Sequence, residues 1–190
     1  MAWNIHLAAA IAISSVSIAQ ASDISESEMR AIFDAEIAPA LLAPEVVSAV
    51  AAQNARHAGL TEDKIIAMDL EWRGQVGMSD AALVASVVEN AVADRLREVV
   101  DGSGGRITEI FIMDMVGLNV AASATTSDYW QGDEAKFTET FGTGRDAVHV
   151  GDISFDESTE RDQRQLSVTL LDPETGEPMG AVTAGIVAQD

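Results

Sequence analysis

The sequence predicts an α+β fold in which N-terminal helices pack on a five-stranded antiparallel sheet. From Ser22 to Val100 the apolar residues recur at helical spacing, whereas beyond Ile107 the chain falls into short apolar or alternating runs. The change of mode coincides with Asp101-Gly102-Ser103-Gly104-Gly105, which reads as a helix-to-strand linker. Near the end, Asp172-Pro173-Glu174-Thr175-Gly176 separates two alternating runs as a hairpin turn. Short connections of this kind make the last three strands an antiparallel meander.

The helices follow in order. Glu26 to Ile37 forms the first, broken near Pro39. Pro44 suits the first turn of the next, where its missing N–H costs nothing, and that helix ends near Gly59. Thr61 is a suitable N-cap for a third, with Glu62 and Asp63 favoured by the helix dipole, and Gly74 and Gly77 mark its end. Ser79 caps a fourth helix, whose Leu83, Val87, Ala91 and Leu96 lie near one stripe.

The strands come next. Ile107 to Asp114 alternates Ile110 and Ile112 with Phe111 and Met113, so both faces are apolar, as in a central strand. Val116-Gly117-Leu118 turns the chain into a second strand, Asn119 to Ser123. Thr126 to Asp133 is a polar, aromatic loop leading to a helix from Gln131 to Phe141. Val148 to Phe155 is a third strand. Leu166, Val168 and Leu170 mark a fourth, and Met179 to Val187 forms the fifth.

Composition narrows the function. The 31 acidic and 11 basic residues leave a net charge of −20, which argues against nucleic acid, whose phosphates need a basic footprint. The absence of cysteine removes disulfides, thiol nucleophiles and thiolate metal sites. The linker lacks the Lys-Ser/Thr of a phosphate-binding loop. No HExxH, GxSxG or Ser-Lys motif is present, and His57 and His149 lie far apart in sequence. The sequence therefore offers no catalytic residues, no cofactor and no metal site. A calcium site at Asp152, Asp156, Glu157 and Glu160 would lack ordered ligand spacing.

Leu7 to Ile18 is an apolar run followed by Ala19-Gln20-Ala21, the small-x-small pattern of a secretory cleavage site, although Met1 to His6 carries no Lys or Arg. The expectation is a signal peptide over residues 1–21 and a periplasmic mature chain from Ser22 with no membrane span. An uncleaved anchor is the alternative.

The segments IFIMDMVGLNVAAS, TSDYWQGDEAKFTETF, VHVGDISFDEST and DPETGEPMGAVTAGI resemble the extracellular sensor domains of the Cache (PDC, PAS-like) superfamily, from Ile107 to Val187. The resemblance implies a PAS-like sheet over residues 101–190 with a ligand pocket, and residues 22–100 as the helical part of the same domain. It further implies recognition of a small polar metabolite and signalling through a membrane histidine kinase or chemoreceptor. The sequence stops at Asp190, just after the last strand, so the expected form is a free-standing single-Cache protein acting through a separate partner. A ligand-free regulatory protein of the same fold, docking on a membrane receptor, is the second expectation.

Within that likeness Tyr129 and Trp130 fall where pocket aromatics are common. Aromatic faces suit a cation or an apolar ligand group. Two readings of Trp130 stay open, ligand contact or a core face shared with Phe137 and Phe141. Asp152 resembles the acidic position that holds a ligand amine, or is a strand-end carboxylate in solvent. Asp128 and Asp133 are further acidic candidates, and Ser123 and Thr126 are candidate hydrogen-bond donors. Arg145 would clamp a ligand carboxylate or pair with Asp146. Together these residues point to an amine-bearing ligand.

Overall fold

The computed structural model describes residues 23–156 and 161–188. The expected leader over residues 1–21, the mature start at Ser22, and Glu157 and Glu160 lie outside them. Helix α1 (Glu26–Ile32) opens with a capping box: the Ser25 hydroxyl accepts from Glu28 N–H, and Ser25 N–H donates to the Glu28 carboxylate at 2.9 Å. The chain does not break near Pro39. A π turn (Phe33–Ile37) intervenes, with Ala38 N–H donating to Phe33 O, and α2 (Ala38–Leu41) continues from it. Pro39 has no N–H for the usual i−4 bond, and the wider turn places it at the start of a fresh α segment.

Helix α3 (Pro44–His57) begins on its proline as expected. Helix α4 (Glu62–Gln75) starts after Thr61, whose side chain makes no capping bond. The expected Ser79 cap is not used: α5 (Ala82–Val88) starts after Ala81. The single helix expected beyond it is interrupted at Glu89-Asn90, because the Asn90 carboxamide oxygen accepts from Val92 and Ala93 N–H and starts α6 (Ala91–Gly102). Among the described residues no single helix is long and apolar enough to cross a bilayer.

The sheet comprises β1 (Ile107–Met113), β2 (Asn119–Ala122), β3 (Val148–Val150), β4 (Ser154–Asp156), β5 (Arg161–Leu171) and β6 (Pro178–Val187). All pairings are antiparallel and the order is β2-β1-β6-β5-β3, with β4 also on β5. The expected third strand is split at Gly151-Asp152-Ile153, so six strands occupy five positions. The helix expected over Gln131 to Phe141 shrinks to one turn, α7 (Ala135–Thr138). Phe137 and Phe141 still stack at 5.3 Å.

Strand β1 is buried on both sides, as its sequence requires. Ile110 and Ile112 join one core with Met29, Phe33, Ile37 and Val50, beneath the layer of α1–α3 and α6. Phe111 and Met113 join the other with Trp72, Val84, Tyr129 and Phe137, beneath α4, α5 and the aromatic loop. This is the α+β, PAS-like arrangement that the sequence predicts. The two helical layers meet around the β2 edge.

Candidate functional site

The polar organisation of that edge starts from Asp114, a fully buried carboxylate just after β1. One carboxylate oxygen accepts from Val116 and Leu118 N–H at 2.9 and 3.0 Å, which shapes the β1–β2 turn. The other contacts Gln53 Nε2 at 3.0 Å and His57 Nδ1 at 2.6 Å. Asn54 adds bonds to Met115 N–H and Met179 O, both at 2.8 Å, so one face of α3 grips the turn and the start of β6. Gly117 closes the turn at φ 84°, and a Cβ there would overlap the Gly132 backbone.

The aromatic loop is tied down in the same manner. Buried Asp69 on α4 accepts from Tyr129 and Trp130 N–H at 2.9 and 3.0 Å and pairs with Arg73 at 2.7 Å. Tyr129 stacks on Trp72 with ring centroids 5.3 Å apart and planes 12° apart. The Trp72 indole N–H donates to Thr126 O at 2.9 Å.

Between α3, α4, α5, the start of α6 and β2 lies an open groove of about 550 Å³. Gln53, Arg56 and His57 form its polar wall, Leu83 and Val87 an apolar wall, and Val120 and Tyr129 its floor. With Nδ1 engaged by Asp114, the His57 ring leaves Nε2 for a ligand. The Tyr129 hydroxyl and Gln53 Oε1 have no hydrogen-bond partner among the described residues.

Burial pushes the Tyr129 phenol up to about 12, with the Asp114 charge adding to the shift and Arg56 opposing it. The folded value exceeds the unfolded one of about 10. The associated stability is therefore fully present below that value and is lost as pH rises through about 12. Because Tyr129 is the only tyrosine, phenolate absorbance reads it directly. Its midpoint should lie well above that of the urea-unfolded chain, and coincident midpoints would place the ring in solvent.

The sequence-predicted residues do not gather in this groove. Tyr129 lines it, but half-buried Trp130 turns away to donate its indole N–H to Val116 O at 2.9 Å, and its backbone bridges Leu118. It packs at the edge of the second core rather than on a helix with Phe137 and Phe141. Asp128 is held by Arg73 at 2.8 Å. The Ser123 hydroxyl accepts from Ile110 N–H at 2.9 Å and extends the β1–β2 ladder. Thr126 is spent inside the loop on Asp128 O, and Asp133 is exposed on the surface.

Asp152 is exposed beside β3, at the opposite edge of the sheet from β2, with β1, β6 and β5 between. It does not line the groove with Tyr129. Arg145 lies by the β5–β6 turn, where a Cβ on Gly176 would come within 2.9 Å of its guanidinium. Among the described residues no three His, Asp or Glu side chains are placed to hold a metal ion.

No family model matches the chain, and no curated protein matches it. Solved structures similar to it include the sensor domain of the V. cholerae histidine kinase DctB, at 11% identity and TM-score 0.37, over 84% of this chain and 55% of that one. Another is the sensory domain of the C. jejuni chemoreceptor Tlp3 with isoleucine bound, at 11% identity and TM-score 0.38, over 86% and 64%. The Tlp3 ligand-binding domain in complex with 4-methylisoleucine follows at 10% identity and TM-score 0.39, over 86% and 63%. The chain thus spans less than two thirds of the length of each.

Proposed function

We propose that this protein is an extracytoplasmic sensor-type binding module of Cache kind. It recognises a small polar metabolite without transforming it and acts through a separate membrane partner such as a histidine kinase or chemoreceptor. The observation that carries this reading is the groove at the β2 edge, where Gln53, Arg56, His57 and Tyr129 line one cavity with the apolar Leu83, Val87 and Val120. The export signal read from residues 1–21 and the family resemblance support the compartment and the kind of partner.

A thermal-shift screen of amino acids, amines and carboxylates tests the reading. Ligand at about 100 times its Kd stabilises the native state by about 2.7 kcal/mol, enough to raise the melting temperature measurably. Ala52→Trp, on the exposed rim of the groove, should abolish the shift while the empty protein melts as before.

A second reading has its own support. The interior beneath Tyr129 is occupied by the buried side chains of Trp72, Phe111, Leu118 and Phe137. This favours a ligand-free regulatory protein docking on a receptor. A blank screen combined with capture of a membrane receptor would select it.

A further inference from the structure

We propose that the groove takes a small carboxylate, its anionic end bound by Arg56 and its apolar end lying on Val120, Leu83 and Val87. The inference rests on the groove being the binding site. It begins with the pairing of cations. In a chain of net charge −20, arginines find acids readily: Arg30 pairs with Asp34, Arg73 with Asp69 and Asp128, Arg97 with Asp94, and Arg106 with Glu36. Arg56, at the groove, has no acidic partner among the described residues.

The acids near it are already committed. Asp114 is consumed by Gln53, His57 and two backbone N–H groups, and it is fully buried. Glu45, at one end of the groove, has its carboxyl held below the usual range by a backbone hydrogen bond and by its pairing with Arg95. Arg56 is therefore the exposed cation that the groove presents to a ligand.

Its planar fork of N–H groups matches the two oxygens of a carboxylate. The Tyr129 hydroxyl, protonated at neutral pH, adds an O–H donor beside it. An ammonium ligand would meet the like charge of Arg56, and the exposed carboxylate that lines the groove, Glu45, is already paired with Arg95. Val120, Leu83 and Val87 offer a hydrocarbon surface next to this polar end. The acidic field of the whole chain slows an anion's approach, and the local contact must outweigh it.

Calorimetry on the purified protein tests the proposal with propanoate, isovalerate and phenylacetate, each compared with its own primary amide and amine. Carboxylates should bind at least about 10-fold more tightly than their amides or amines. Arg56→Gln should weaken carboxylate binding by about 10- to 100-fold, because a charge-assisted pair is lost. Arg56 is exposed, so melting of the unliganded variant should match wild type. Arg145→Gln should leave affinity unchanged.

Amides or amines that bind as tightly, and are lost in Ala52→Trp, would overturn the carboxylate and leave the groove standing. Carboxylate affinity that survives Arg56→Gln but not Ala52→Trp would overturn the role of Arg56. Silence from all three charge classes would overturn both the ligand class and the binding-module reading.

Discussion

Replacing Asp114 with alanine should destabilise the protein by about 3–5 kcal/mol, the range for removing one partner from a buried charged network. The side chain satisfies four groups at once: Val116 N–H, Leu118 N–H, the Gln53 carboxamide and the His57 ring. Alanine leaves the buried Leu118 N–H and the half-buried Val116 N–H of the β1–β2 turn without their acceptor, and a buried orphan of this kind costs about 1–3 kcal/mol. The Asp114→Asn change keeps one acceptor oxygen and should retain part of the turn, so its loss should be smaller. Urea melts of the two variants measure the difference. Equal, small losses would mean that water reaches Asp114 and that the network is not closed.

The second large effect is expected at Trp72. Its side chain is fully buried, stacks on Tyr129 and donates to Thr126 O. Trp72→Ala should cost about 3–5 kcal/mol through lost burial and the cavity left behind. Trp72→Phe keeps a ring against Tyr129 but strands the Thr126 carbonyl, so a loss of about 1–3 kcal/mol is expected. The pair separates packing from hydrogen bonding when both are followed by far-ultraviolet circular dichroism in denaturant. A phenylalanine variant as damaged as the alanine one would make the indole N–H the dominant contribution.

Strand β1, the Gly117 turn, the Asp172–Gly176 hairpin and the proline start of α3 were all legible in the sequence, because each is decided by local chemistry. The breaks were less so. Asn90 looks like one more polar residue on a helix's wet side until its side chain is seen to accept two N–H groups of the following turn. Most of the groove comes from the helical half of the chain, away from the residues that the resemblance singles out. That resemblance drew attention to Tyr129, Trp130 and Asp152, and nothing local shows that three strands separate Asp152 from the edge where the other two lie.

The groove residues Gln53 and His57 did leave a signal. Val46, Val50, Gln53 and His57 recur at the spacing of one helix face, so two polar side chains stand where a core stripe asks for apolar ones. Such residues need buried partners, and Asp114, itself at the end of an apolar strand, is that partner. The same logic applies to Asp69, which lies between Ile65 and Trp72 on the buried face of α4.

The π turn at Phe33–Ile37 has a meaning for angular phase. Met29, Phe33, Ile37 and Leu41 are spaced by four residues and all are buried in one core. In an α-helix of about 3.6 residues per turn each such step overshoots by about 40°, so three steps would swing Leu41 round by about 120°. The wide turn returns part of that rotation and keeps the row aimed at the sheet. It works as a vernier between a four-residue ruler and a helix that does not divide by four. Adding or removing one residue there would leave the helix nearly the same length but re-index everything after it. Leu41 would face a different way, and so would the 77° bend into α3. The helix that carries Gln53, Arg56 and His57 to the groove thus takes its bearing from a single surplus residue about five turns of chain upstream.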